Sequence, residues 1–189
     1  MVLTHGAGTD CRTPLLVAVA DAFATAGYHV LRCDLPFRQR RKLGPPHPAQ
    51  AAVDRDGLRA AIEALQHVLP GPVCLGGHSY GGRQASMLAV EDPAIAQRLL
   101  LLSYPLHPPQ KPQQLRTAHF SNLQTPALFV QGDADPFGSV AEMHSALSLL
   151  RASHRLSVIK GAGHDLKRGK FDISAQIIGP FAELQQKTL

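Results

Sequence analysis

Six short apolar runs, none longer than five residues, alternate along this chain with longer stretches in which apolar residues recur at helical spacing. Such alternation predicts strand-to-helix units that cross over into a mostly parallel sheet of about six strands, with helices on both faces. The strand candidates are Val2 to Thr4, His29 to Cys33, Val73 to Leu75, Leu99 to Ser103, Ala127 to Gln131 and Leu156 to Ile159, mostly rich in Val and Leu. Between them, Thr13-Pro14 reads as an N-cap followed by Pro at the first helical position, and Leu15, Leu16, Val19, Ala22, Phe23 and Ala26 supply an apolar face as far as Gly27. Leu58, Ile62, Leu65 and Leu69 repeat the pattern up to Pro70-Gly71. Ser139 with Glu142 is a capping box leading into Val140, Met143, Leu147 and Leu150. Ile173, Ile177, Phe181 and Leu184 form a last stripe that Gly179-Pro180 should kink or split. Pro36 to Pro48 and Tyr104 to Pro126, with four and five prolines, read as irregular loops, the second with one helix-compatible patch around Leu115.

Length and composition narrow the class. A chain of 189 residues makes one domain, residues 1–189, with a sizeable core. With 44% hydrophobic and 17% charged residues, and no run of eighteen apolar positions, disorder, a coiled coil and a membrane span are excluded. The net charge of +5 is mildly basic, and Arg32, Arg38, Arg40, Arg41 and Lys42 concentrate it. Aromatic residues make up only 5% and Trp is absent, so the stacking platform of a single-strand binder is missing and no nucleic-acid partner is expected. Cys11, Cys33 and Cys74 have neither disulfide nor zinc-site spacing and read as small hydrophobes in a reducing, cytoplasmic setting. Met1-Val2-Leu3-Thr4-His5-Gly6 carries no secretory signal, so no export is expected.

The chemistry centres on Gly77-His78-Ser79-Tyr80-Gly81-Gly82, which follows the apolar run Val73-Cys74-Leu75-Gly76 and precedes a helical segment with Ala85, Met87 and Leu88. This is G-x-S-x-G between a strand that stops at the glycines and a helix. The pattern suits a Ser held on a strained turn, where Gly77 and Gly81 avoid clashes and the helix N-terminus favours a developing oxyanion. The plainer alternative is a glycine-rich turn in which Ser79 only caps the helix. A serine hydroxyl needs a base and an orienting acid to attack at neutral pH. Gly132-Asp133-Ala134-Asp135-Pro136 and Gly161-Ala162-Gly163-His164-Asp165 each follow a candidate strand, so their polar residues fall at the sheet edge where ligands bind. Asp135 and Asp133 compete for the acid's role, the alternative for either being a turn residue or cap, and His164 can instead be a solvated loop residue.

Backbone donors for an oxyanion are expected from Tyr80 and from Ala7 in the His5-Gly6-Ala7-Gly8 loop, with Gly8 as substitute. A plain turn or a phosphate loop is the alternative there, the latter without the Gly-Lys-Ser/Thr that a phosphate loop needs. The nine remaining His show no metal-ligand spacing, and the side chain of His78 is expected to point away from the attack side.

His5-Gly6-Ala7-Gly8, Gly77-His78-Ser79-Tyr80-Gly81-Gly82-Arg83 and Gly161-Ala162-Gly163-His164 resemble the oxyanion loop, nucleophile elbow and histidine loop of α/β-hydrolases. The chain is most similar to the small dienelactone-hydrolase-like group. Within it, Leu102-Ser103-Tyr104-Pro105-Leu106-His107-Pro108-Pro109, Leu115-Arg116-Thr117 with His119, and Gly132 through Asp135-Pro136-Phe137-Gly138 resemble hydrolases related to testis-expressed protein thirty and a chromatin-complex subunit. The resemblance implies Ser79 as nucleophile, Asp135 as acid and His164 as base, on an α/β-hydrolase fold without a large lid domain. Two departures stand out. Only four residues precede His5, so the sheet is expected to lack the family's first strands and to expose an edge where a second copy could pair as a homodimer. Dienelactone hydrolases proper use Cys where Ser79 stands, so an ordinary ester or thioester is the expected substrate.

The expectation is therefore a cytoplasmic serine hydrolase of a small ester, thioester or related acyl compound, with no cofactor, no metal and no membrane partner. His5, Tyr104, Arg40 and Arg41 are candidate substrate contacts, the two arginines because the basic loop could face the pocket and attract an acidic acyl group, although a solvated charged loop is the simpler reading. Tyr104 to Thr117 is expected to complete the pocket. The rival class is a non-catalytic interaction module on the same fold. A third reading, acyl transfer to an acceptor other than water, shares every residue with hydrolysis.

Overall fold

The computed structural model describes residues 1–184. Its six strands, β1 (Val2–Thr4), β2 (Leu31–Cys33), β3 (Cys74–His78), β4 (Arg98–Leu102), β5 (Ala127–Gly132) and β6 (His154–Ile159), lie in the order β2-β1-β3-β4-β5-β6, every pair parallel. Parallel pairing needs five crossovers; α1 (Pro14–Thr25), α2 (Pro36–Arg40) with α3 (Ala51–Val68), α4 (Tyr80–Glu91) and α5 (Val140–Leu147) make four of them, and the β4–β5 connection, residues 103–126, carries only the 3-10 turn Phe120–Asn122. A π-helical turn, Ser174–Ile178, runs into the short α6 (Gly179–Ala182), so Gly179-Pro180 divides the last stripe as expected.

Side chains alternate across the sheet, and both faces are filled. In β4, Leu99 and Leu101 join Leu58 and Ile62 of α3, Leu88 of α4 and Met143 of α5, while Leu100 and Leu102 join Leu16, Val19 and Phe23 of α1 and Phe181 of α6. All of these are fully or almost fully buried. Helices on both faces of an all-parallel sheet force each strand's C-terminal end to the same edge, which is where the loops carrying polar residues gather.

Several local expectations shift. Strand β3 does not stop at the glycines but runs through Gly76 and Gly77 to His78, because both pair with β1 and β4. Only residues without a side chain fit: a Cβ on Gly77 would lie 2.8 Å from backbone atoms of Gly81 and Gly82, where α4 folds back on the strand. The irregular stretch from Pro36 holds helix α2, opened by Pro36 at its first position. The patch around Leu115 forms no helix, and that side chain is exposed. Thr13 precedes α1 without a side-chain cap, whereas the Ser139–Glu142 capping box is complete on α5.

Candidate active site

Ser79 sits between β3 and α4 with φ 52° and ψ −116°, a conformation that costs an L-residue energy and persists only when its surroundings enforce it. Its N–H donates to Leu102 O at 2.8 Å, and Gly81 N–H donates to His5 O at 3.1 Å, so the turn is tied to β4 on one side and to the loop after β1 on the other. Ser79 lines a cavity of about 750 Å³.

His164, in the loop after β6, meets that hydroxyl: Ser79 Oγ and His164 Nε2 are 2.8 Å apart. His164 Nδ1 lies 2.8 and 3.0 Å from the two carboxylate oxygens of Asp135, in the loop after β5. A carboxylate only accepts, so Nδ1 carries the proton and Nε2 presents its lone pair to the Ser79 O–H. Asp135 is buried and also accepts from Phe137 N–H at 2.9 Å, which fixes the carboxylate. The imidazole packs against two rings, Phe137 at 4.1 Å and His78 at 5.1 Å between centroids. Asp133 stands apart from this line, accepting from Gly161 N–H at 2.7 Å as a turn residue.

The loop after β1 lines the same cavity through Gly6, Ala7, Gly8 and Thr9. In a trans peptide the N–H and C=O point opposite ways, so anchoring a carbonyl aims the next N–H. Gly6 O accepts from His5 Nδ1 at 2.8 Å and from Thr9 N–H, which fixes Ala7 N–H; Ala7 O accepts from Arg38 Nη2 at 2.8 Å, which fixes Gly8 N–H. Tyr80 opens α4, so its N–H has no acceptor within the helix. Its phenol donates to Asp54 at 2.8 Å, and burial together with that bond pushes its ionisation upward.

The candidate substrate contacts fare differently. His5 is fully buried, with Nδ1–H on Gly6 O and Nε2 accepting from Leu35 N–H at 3.0 Å. It therefore shapes the loop rather than touching a ligand; Asp34, 3.5 Å from Nε2, would pair with it only if the ring were protonated, and burial lowers its pKa. Tyr104 is also fully buried, its hydroxyl donating to Arg116 O at 2.7 Å, and it packs on Phe120 and Phe129 as core. Arg40 and Arg41 point outward, Arg40 to Gln50 and Arg41 to Pro45 O, and neither lines the cavity. The reason is that α2 turns its buried face inward with Arg38, leaving the next two arginines on the solvent side.

Three residues gained roles that the sequence did not suggest. Arg38, only 6% exposed, donates to the carbonyls of Ala7, Thr9, Arg41, Lys42 and Gly44, gathering the loop after β1 and the 41–44 segment around one guanidinium. Arg83 and Arg116 line the cavity beside Ser79. Arg83 was accessible to sequence reasoning, since it falls in the first turn of the helix that follows Ser79. Arg116 was not, because its loop is placed by the bonds from Tyr104 and from its own N–H to Leu106 O. The Tyr104–Thr117 segment does wall the cavity, through Pro105 and Arg116.

Comparison with known proteins places this fold. The model of the family described as "Alpha/beta hydrolase domain" matches residues 1–176. The "Putative protein-lysine deacylase ABHD14B" of Pongo abelii is 30% identical over 165 residues, covering 87% of this chain and 73% of the relative; its counterpart in Homo sapiens is 27% identical over 168 residues, with the same coverage. Among solved structures, an α/β serine hydrolase without a lid from Xanthomonas campestris superposes with TM-score 0.74 at 20% identity, over 100% of this chain and 84% of that one. A dienelactone hydrolase from Anabaena variabilis gives TM-score 0.70 at 23% identity, over 96% and 82%. At those identities the likeness is one of fold, and it includes the absence of a large lid domain.

Proposed function

Because this chain belongs to the alpha/beta hydrolase domain family, we propose that it is a serine hydrolase that cleaves a small ester, thioester or related acyl substrate through an acyl-enzyme on Ser79. The observation that carries the reading is the continuous line Asp135–His164–Ser79, with both links at 2.8 Å. Ser79 Oγ attacks the acyl carbon while its proton passes to His164 Nε2. Asp135 keeps Nδ1 protonated and stabilises the imidazolium that forms. The carbonyl oxygen becomes an oxyanion facing the N–H groups of Tyr80 and Ala7, with Gly8 N–H as the alternative donor. Collapse of the tetrahedral species breaks the bond to the leaving group, which takes the proton from His164. Water then gives a proton to Nε2 as it attacks the acyl-serine, and the return of that proton to Ser79 Oγ releases the acid.

The finer placement near the dienelactone-hydrolase-like group and the hydrolases related to testis-expressed protein thirty belongs to the same proposal and rests on the motifs. The curated relatives' name makes acyl-lysine amides part of the substrate panel. A scaffold has no physical need for three converging polar groups at a strained turn, which favours catalysis over an interaction module. Intact mass after exposure to a fluorophosphonate tests the reading. One adduct is expected on the native protein and none on Ser79→Ala or His164→Ala. A folded native protein that takes no adduct would overturn it.

A further inference from the structure

The charged residues of the cavity are unevenly balanced. Arg83 and Arg116 both line it, and neither forms an ion pair among the described residues. Arg83 Nε is buried without a hydrogen-bond partner, and Arg116 spends one donor on Pro105 O at 3.3 Å. Burial lowers the pKa of Arg116, and the charge of Arg83, which lines the same cavity, lowers it further. Asp165 lies at the cavity too, but its carboxylate accepts from Lys167 N–H and sits 3.5 Å from Arg168. Two partly desolvated cations lining one cavity without an ion-pair partner are unfavourable unless an anion completes them.

We infer that Arg83 and Arg116 form a carboxylate subsite, and that the preferred substrate is a short acyl ester bearing a carboxylate a few bonds from the carbon that Ser79 attacks. This rests on the serine-hydrolase reading. A guanidinium presents a planar fork that matches a carboxylate in two-pronged fashion. A short substrate fits this placement, because Arg83 lies in the first turn of α4, its N–H donating to Ser79 O at 3.0 Å. Met87 and Pro105 line the same cavity and suit the intervening methylenes. The attraction expected of the basic segment 38–42 thus belongs to two arginines distant from it in sequence.

The test compares kcat/KM within two matched pairs. p-Nitrophenyl hemiglutarate against p-nitrophenyl valerate places the charge on the acyl side; 4-acetoxybenzoate against its methyl ester places it on the leaving group. In the native protein one pair favours the anion, and that ratio falls about tenfold in R83Q and in R116Q, the loss expected for a charged hydrogen-bond partner. R40A, outside the cavity, leaves the ratio unchanged. R83K, with its charge retained, recovers part of the preference, and added salt weakens it in the native protein, a readout that needs no variant to fold. No preference for the anion in either pair, or ratios unmoved by R83Q and R116Q, would overturn the subsite. Binding of free glutarate to Ser79→Ala, followed by ligand-detected NMR, separates the two levels of the argument. Glutarate bound by a protein that takes no fluorophosphonate supports the subsite and sinks the catalytic reading; a labelled protein with neither glutarate binding nor charge preference does the reverse.

Discussion

His78 Nε2–H donates to the backbone carbonyl of His164 across 2.7 Å, so the residue that precedes Ser79 in the chain holds the loop that brings His164 to it. A carbonyl can only accept, which assigns the proton to Nε2, and burial keeps the ring uncharged by lowering its pKa to about 4. The side chain was expected to point away from the reacting groups; it lies instead at the cavity against the imidazole of His164. His78→Met removes the donor and His78→Gln keeps one at similar reach. The expected outcome is a fall of about tenfold in kcat for the first, with KM little changed, and partial recovery in the second, measured by steady-state kinetics on a neutral ester.

Asp135 and Asp133 provide an internal contrast two residues apart. Asp135→Asn removes the carboxylate that sets the His164 tautomer and should lower kcat by about a thousandfold or more. Asp133→Asn weakens one turn bond to Gly161 and should leave kcat within about threefold. Similar losses in both variants would contradict the assignment of the acid.

Arg38 stabilises through five backbone carbonyls, whereas Arg40 is exposed and reaches one side chain. Arg38→Met should therefore cost about 3 kcal/mol in urea unfolding, as buried carbonyls lose a charged donor. Arg40→Ala should change stability by no more than about 0.5 kcal/mol.

Gly77 of the elbow and Gly8 of the loop after β1 differ in what surrounds them. A Cβ on Gly77 would meet fixed backbone of Gly81 and Gly82 at 2.8 Å, while one on Gly8 meets nothing within 4 Å. Gly77→Ala should destabilise by at least about 2 kcal/mol, and Gly8→Ala should be close to neutral in thermal unfolding.

Stability should fall in mild acid. Burial lowers the pKa of His5, His78 and His119, the last two to about 4, with the charge of Arg83 also acting on His119. An unfolded histidine titrates near 6.5. Below that pH the unfolded chain binds protons that the native one refuses, so stability is full above about 6.5 and is lost as pH falls toward 4. Each such histidine contributes up to about 1.4 kcal/mol per pH unit. Urea midpoints between pH 7 and 5 check this, and a midpoint that does not fall would contradict it; His119→Gln should flatten the dependence.

What could be read from sequence was whatever depends on local periodicity and steric demand. The six strand positions, the capping box at Ser139 and the division of the last helix at Gly179-Pro180 follow from patterns confined to a few neighbouring residues. Ser79, Asp135 and His164 could be named because each falls just after an apolar run, and a parallel sheet collects those ends at one edge. Which elements lie next to which was another matter. Whether an arginine is solvated or buried depends on segments far away in the chain, so Arg38 and Arg40 look alike in sequence and differ completely in the fold.

The sequence by itself determined the class of fold and a short roster of polar residues, because hydrophobic period and glycine placement are local properties. Only the tertiary structure decided that His164 reaches Ser79 across 85 positions, that His5 and Tyr104 are core rather than substrate contacts, and that Arg83 and Arg116 share the cavity. Those relations arise from packing between distant segments, where side-chain direction and burial are set by partners that no local pattern encodes.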